Sequence, residues 1–459
     1  MPRRCHGARS FDTLHHWRDD ATWHRLKHDL EGFPDGLRVL ELCGGIGTGH
    51  VALQELLSDN ATFSIVDHFD TDEALRPLLV ASGLSSEYIH LGRTEGDIMT
   101  RTPHDFALHH VLVAGPPCPP WSSIGSRSSW EDARSKPFDK VLEVIAYHAE
   151  HGGLLLFVLE NVLGVLLPTK KSKSRPIDFI VKRLRESCPG WSIEVHRVNS
   201  LDFGLPQSRP RVYIVGRKYS PEDSGSSMPP LCKFRRRVPL GQCLENTDNS
   251  PGKYTPLQQG NIRDWKAHYK FELTKPQFSN QFAVVDASRT PSGRTTWCNS
   301  RKQPDICQCL TASGPLLHVF ALGTNDSAMS LSLDRPLRNT ERAKLQGFSA
   351  AIVESAAHMS TADANRIFGN AMTVPVVGAV IGRELVGLHR AVGSAALTTL
   401  FSRERAQRRY PGPKNSHRTD VAHRGMSTTR TRDNAFPSPP SLPSSRTNTR
   451  STAAKRHCP

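Results

Sequence analysis

The sequence predicts an α/β protein: a parallel sheet with helices on both faces, joined to a smaller, irregular lobe. Between residues 37 and 216, short apolar runs alternate with stretches whose apolar residues recur at helical spacing, the order expected of a parallel sheet. One run, residues 154–159, is apolar almost throughout, as in a strand covered on both faces. After Gly216 the alternation stops. Residues 217–335 are rich in Pro, Ser, Gly, Arg and Gln, and helical patterning returns from about Leu337.

The elements follow in order. Residues 1–36 read as a polar N-terminal extension rich in His and Arg. Leu37–Leu42 is an apolar run that ends at glycines, 51–57 reads as helix and 63–66 as a second strand. Val111–Ala114 runs into Gly115-Pro116-Pro117, where the prolines must turn the chain. Residues 138–151 carry Val141, Val144, Ile145 and Ala149 at helical spacing, 177–187 form another amphipathic helix, and 212–215 close the series. The first part of the main domain is thus 37–216, and its closing part is 336–396, with a final β/α segment over 371–388. The lobe between them, 217–335, has short β-like runs at 282–285 and 316–322. Residues 397–459 are dominated by Arg, Ser, Thr and Pro, the composition of a disordered tail.

A chain of 459 residues is long enough to bury a large core. Its net charge of +15 is uneven, because residues 391–459 hold 13 Lys and Arg against three Asp and Glu. Such a tail suits a polyanion such as nucleic acid, and equally suits a solvated low-complexity segment. None of the ten cysteines forms a CxxC pair, and Cys307 and Cys309 stand too close for ordinary metal spacing, so no metal is expected. Without a signal-peptide pattern or a long apolar run, the chain reads as a reduced intracellular protein with no membrane contact.

Six short motifs carry the chemistry. Leu40-Glu41-Leu42-Cys43-Gly44-Gly45-Ile46-Gly47-Thr48-Gly49 lies between a strand and a helix, where glycines let the backbone approach a ligand. Dinucleotide folds use the same device, so this turn alone does not name a cofactor. The second strand ends at Asp67-His68-Phe69-Asp70, where an acid can accept from both ribose hydroxyls or simply cap the strand, and Gly96-Asp97-Ile98 adds a third acidic loop. In Gly115-Pro116-Pro117-Cys118-Pro119-Pro120-Trp121-Ser122 a cysteine stands at the carboxyl end of a strand, where open α/β sheets bind ligands. Two prolines fix a rigid presentation there, and a thiolate is the attacking form. Residues 122–135 read either as a lid hinged at Gly125 or as an inert loop. Glu160-Asn161-Val162 follows the buried run, so its carboxyl faces the same crevice and, once desolvated, can donate to a ring nitrogen. Arg209 and Arg211 alternate into the last strand and so share a face, placing two guanidiniums for a ring carbonyl or a phosphate. Leu345-Gln346-Gly347-Phe348 and Gly369-Asn370-Ala371 complete the set.

In this order, over residues 37–216 and 337–387, the motifs resemble those of the cytosine-C5 methyltransferases. The resemblance implies a Rossmann-like, S-adenosylmethionine-dependent methyltransferase sheet, with residues 217–335 as a target-recognition lobe. It implies that cytosine is flipped out of a DNA helix, that Cys118 adds to C6, that Glu160 supports the N3 side, and that Arg211, with Arg209 beside it, meets the carbonyl. C5 then takes the methyl group, and loss of its proton expels the thiolate. For S-adenosylmethionine, Gly45 and Gly47 would line the methionine part, Asp67 the ribose, and Asp97 and Ile98 the adenine. Pro116 joins that pocket, and Asn370 with Ala371 would close it. An aromatic is usual where Cys43 stands, so stacking on adenine is either weakened or comes from His68. The Lys233-Phe234-Arg235-Arg236-Arg237 run and residues 265–271 mix basic and aromatic residues as nucleic-acid contacts do, and residues 170–175 offer cations to phosphates. A usual arginine is replaced by Thr340. The partner expected is DNA, met by a monomer, in the nucleus if the source is eukaryotic and otherwise in the cytoplasm. The alternatives are an RNA-directed enzyme, whose Cys-Phe-Thr signature is absent from the second lobe, which favours DNA, and an inactive nucleic-acid-binding homologue, against which the intact Cys118, Glu160 and Arg211 argue.

Overall fold

A computed structural model describes residues 17–57, 61–117, 133–151, 153–168, 174–245, 252–272, 281–291, 304–314, 316–322 and 333–406. The strands are β1 (Leu37–Leu42), β2 (Phe63–Asp70), β3 (Ile89–Leu91), β4 (Val111–Ala114), β5 (Leu156–Val162), β6 (Ser192–Asn199), β7 (Pro210–Arg217), β8 (Gln281–Asp286), β9 (Leu317–Leu322) and β10 (Asp334–Pro336). The first seven form one sheet in the order β3-β2-β1-β4-β5-β7-β6, and the last three a smaller sheet in the order β10-β9-β8. β1 to β5 pair in parallel, whereas β7 runs antiparallel to both β5 and β6. The expected all-parallel sheet therefore ends in an antiparallel hairpin, and the edge strand β6 was not anticipated.

The apolar runs are explained by two-sided burial. Successive side chains of a strand point to opposite faces. Leu37, Val39, Val111, Val113, Leu156, Val158, Tyr213 and Val215 enter one core. Leu40, Leu42, Leu112, Ala114, Phe157, Leu159, Val212 and Ile214 enter the other. The helices Thr48–Leu57 and Val374–Val392 cover the first face, and Lys136–His151 and Pro176–Ser187 the second. Val374–Val392 is long and apolar because it is buried from Val374 to Leu388.

Two terminal assignments are corrected. Residues 17–36 are part of the fold: Trp17 and Trp23 meet edge to face at 4.9 Å and join the first core with Leu30 and Phe33. Burial of each indole contributes on the order of 3 kcal/mol. Asp20 caps the helix Ala21–Asp29 through Thr22 N and also accepts from the Arg235 and Arg236 amides. At the other end, the helix Ser394–Ala406 occupies the start of the expected tail and buries Leu397 and Phe401, the latter 4.3 Å from the His110 ring. Residues 407–459 lie outside the described set.

The small sheet turns Phe282, Val284, Leu317 and Val319 to the first core. Its other face carries Ala283, Val285, Phe320 and Leu322 under Trp265 and Tyr269 of the helix Pro256–Glu272. Trp265 donates to Arg289 O at 2.8 Å. The described aromatics of the 265–271 stretch are therefore core, not base-stacking platforms. In the other basic run Phe234 is buried against Trp23 and Phe203, while Lys233, Arg235, Arg236 and Arg237 are exposed.

Candidate active site

The carboxyl ends of β4 and β5 and the start of β7 converge. β4 pairs with β5 up to Ala114 and Leu159, so Gly115-Pro116-Pro117 leaves the sheet beside Glu160. Asn161 ties the two together by donating from Nδ2 to Pro116 O at 3.4 Å. Cys118 follows Pro117 directly but, like residues 119–132, lies outside the described residues, as do Lys170, Lys171, Ser172 and Lys173.

Glu160 opposes Tyr213 in the β5–β7 register, which makes Arg211 its diagonal neighbour on the same face, within reach of a long side chain. Arg211 Nε lies 2.8 Å from Glu160 Oε1, and both side chains are largely buried. Arg211 also donates from Nη1 to Pro210 O at 2.8 Å and from Nη2 to the Cys309 sulfur at 3.8 Å. The carboxyl and one guanidinium assigned from the motifs thus form one unit at the expected strand ends.

Arg209 behaves differently, and its expected place at the ring carbonyl is corrected. It is 2% exposed, with Nη1 donating to Leu310 O (2.7 Å) and Nη2 to Gly369 O (3.0 Å) and Ala371 O (2.6 Å). The polar ends of Arg209 are therefore spent on backbone carbonyls. Gln207 and Gln346 extend the same clamp. Gln207 Nε2 donates to Leu345 O at 2.9 Å, Gln207 Oε1 accepts from Leu310 N at 3.2 Å, and Gln346 Nε2 donates to Phe368 O at 2.6 Å. Gly369 lies against the Thr311–Ala312 peptide, where a Cβ would come within 2.2 Å of Thr311 C.

The Gly-rich turn, at the end of β1, lies across β4 from this unit. Gly45 and Gly47 have φ of 56° and 72°, the left-handed region that favours glycine, and a Cβ on Gly45 would meet nothing within 4 Å. That free space on a turn flanked by acids is what a ligand-facing glycine requires. Cys43 also has a positive φ, 50°, strain of the kind that gathers at functional sites. Burial and the nearby Asp70 and Asp97 carboxylates push its thiol up, which places both acids around the turn.

Of the two acids at the end of β2, the one that meets the turn is Asp70, not Asp67. Asp70 Oδ2 accepts from Gly45 N at 3.0 Å, and burial pushes its carboxyl up. Asp67, on the opposite face of β2, pairs with His90 at 2.7 Å and accepts from Ala107 N at 3.4 Å. The side-chain period of two separates these residues and is the signal that favours Asp70. The stacking role expected of His68 is also corrected. His68 is fully buried beneath the turn, with Nδ1 2.8 Å from Glu41 Oε2 and Nε2 3.1 Å from Gly45 O. Phe69 and Ile98 share the second core with Cys43 at its border, and the buried Phe69 ring stacks on His90 at 4.5 Å with the Arg101 guanidinium 4.8 Å from its centroid. Asp97 caps the turn that begins at Ile98 through Met99 N. Ala371 is buried and Asn370 exposed at the end of the helix Thr361–Asn370, and Met372 lies 3.8 Å from where a Cβ on Gly115 would stand. A left-handed Gly45 with open space beside it, flanking acids and an apolar border fit an adenosyl sulfonium cation. No group of three or more His, Cys, Asp or Glu that would hold a metal ion occurs among the described residues.

The chain is 28% identical over 291 residues to the type II methyltransferase M.NgoBI of Neisseria gonorrhoeae, covering 62% of this chain and 76% of that one. It is 28% identical over 270 residues to M.HpaII of Haemophilus parainfluenzae, covering 59% and 70%. The match to M.HgiBI of Herpetosiphon aurantiacus, 26% over 208 residues, spans only 45% of that relative. Among solved structures the S. pombe Dnmt2 methyltransferase aligns with a TM-score of 0.49 and 21% identity, over 75% of this chain and 97% of that one. The family model described as C-5 cytosine-specific DNA methylase matches residues 37–385, most of the chain, and the protein belongs to that family.

Proposed function

We propose that this crevice methylates C5 of cytosine in DNA by way of a covalent adduct between Cys118 and C6 of a flipped-out base. The observation that carries the reading is the Glu160–Arg211 pair, set beside the Pro116-Pro117 segment that leads into Cys118. A guanidinium carries five N–H donors in a planar fork, which suits Arg211, paired to Glu160 at the strand ends, to a pyrimidine carbonyl. Glu160 beside it holds a proton at N3, so the charge that develops when the Cys118 thiolate adds to C6 is met on two sides. C5 gains nucleophilic character, and loss of its proton later expels the thiolate. S-adenosylmethionine, held by Gly45, Gly47, Asp70, Asp97 and Ile98, supplies the methyl group.

A second reading, RNA as the substrate, keeps one observation of its own. Cys309-Leu310-Thr311 differs from the Cys-Phe-Thr signature of the RNA-directed branch only at its middle residue, and Cys309 lies against Arg211. One experiment separates the readings. The protein is incubated with S-adenosylmethionine and either DNA or transfer RNA containing 5-fluorocytosine. A denaturant-stable adduct with DNA, absent in Cys118→Ser, is expected. An adduct with RNA alone transfers the assignment to the second reading. No adduct and no labelled methyl transfer with either polymer overturns both.

A further inference from the structure

Residues 305–310 run from the small sheet into the crevice. Asp305 N donates to Phe282 O of β8 at 2.8 Å, and Cys307 N to Pro206 O at 2.7 Å. Ser208 N donates to Cys307 O at 2.9 Å, so the segment is stitched to the entry of β7. At its end stands Cys309, half-buried, which the motifs leave without a role. Its sulfur lies 3.4 Å from Arg209 Nη1, 3.8 Å from Arg211 Nη2 and 3.3 Å from Leu310 O. The titratable or charged groups that face this cluster are Arg209, Arg211 and Tyr213 from the β7 side, Glu160 from β5 and Cys307 from its own segment. Burial pushes the Cys309 thiol up, but Arg211 and then Arg209 more than offset this and leave it below the ordinary thiol range. A sulfur held so accepts N–H from both guanidiniums. Arg209 is already fixed by three carbonyls, so the group that Cys309 steers is Arg211.

Building on the proposed methyl transfer, we propose that Cys309 is a positioning residue: its sulfur, delivered by a segment of the second lobe, holds the Arg211 guanidinium in register with Glu160 and the pyrimidine carbonyl. The segment that leaves the recognition lobe thereby sets the geometry of the catalytic pair.

The test compares the full-length protein with Cys309→Ala and Cys309→Ser. Loss of an acceptor for a charged donor is expected to lower kcat about tenfold in the alanine variant. KM values for polynucleotide and S-adenosylmethionine should stay within about twofold, with the urea midpoint unchanged. Serine, which restores an acceptor, should recover most of kcat. A second arm needs no turnover: iodoacetamide labelling of the native protein, read by peptide mass spectrometry. Cys309 should react faster than the equally half-buried Cys232, and Arg211→Gln should remove that advantage. Normal kcat in the alanine variant overturns the proposal. So does loss of activity in both variants in step with the urea midpoint, or labelling of Cys309 that ignores Arg211→Gln. If the unaltered protein methylates no polymer, the functional reading fails, while the labelling arm still decides whether Arg211 governs this sulfur.

Discussion

At the carboxyl end of the seven-stranded sheet, Glu160 and Arg211 are buried as an ion pair, and Arg209 keeps its charge by donating to three carbonyls. At the opposite end, before β4, the histidines His109, His110 and His148 are buried and held neutral, beside the buried Arg38 and the Arg217–Glu384 ion pair. Burial is the first cause in each case, pushing His110 down to about 3, His148 to about 4 and His109 well below its ordinary value. His109 Nδ1 donates to Ala107 O and His148 Nε2 to Pro103 O, which fixes both tautomers. His109 Nε2 and His148 Nδ1 then have no partner among the described residues, with the rings 4.4 Å apart. The sheet thus keeps its buried histidines neutral and its buried arginines charged, Arg217 against Glu384 at one end and Arg211 against Glu160 at the other. Desolvation acts at both, so the difference lies in the partners supplied.

Two substitutions at the charged end sharpen the comparison most. Arg211→Ala is expected to lower kcat by roughly 10²–10³-fold, about 3–4 kcal/mol of barrier, while moving the urea midpoint little. Arg209→Met should do the reverse. Three buried carbonyls lose their donor, and urea unfolding should report a loss of about 3 kcal/mol. If Arg211→Ala unfolds the protein and Arg209→Met removes only turnover, the roles given to the two arginines are exchanged.

The histidine end predicts acid lability. A folded pKa below the unfolded value means that the unfolded state binds more protons between the two, so stability is full above about pH 6.5 and falls as pH drops. With His148 at about 4, its contribution to that loss is about 3 kcal/mol near pH 4. Urea titrations between pH 7 and 4 should show the slope, and His148→Gln should flatten it by about one proton. An unchanged slope would mean that His148 is already charged in the folded protein. The smallest effect is expected at Arg342, which is 2% exposed. Its Nε and Nη1 find no partner among the described residues, and burial lowers it to about 10. Arg342→Leu should be neutral or raise stability by about 1–3 kcal/mol, because an unpaired buried cation is replaced by apolar volume. A loss of stability would reveal a hidden partner.

How far the sequence carried the argument follows from these contacts. The bounds of β1 and β4 can be read directly, since strands buried on both faces leave uninterrupted apolar runs. β6 is hidden because it is an edge strand, with Val195 exposed and charged residues between its apolar ones. Trp17 and Trp23 are lone aromatics in a polar stretch, and no local period shows that they reach the core. The meeting of Glu160 and Arg211 was legible because each motif sits at a strand end, where the topology gathers them. The depth of Arg209 was not, since alternation gives a face and not a distance from solvent. Asp70 was readable from the period of two, and Asp67 was chosen in its place. Cys309 reaches the crevice by a path through the second lobe, which no spacing along the chain encodes.

The stitching of residues 305–310 to the entry of β7 has a practical meaning for exchanging recognition lobes between relatives. The seam for such a graft falls near residue 304 and not at the return to helix near 337. A donor lobe that replaced Cys307, Cys309 and Leu310 would bring foreign groups against Arg209 and Arg211, whereas one joined ahead of them would leave those contacts as they are.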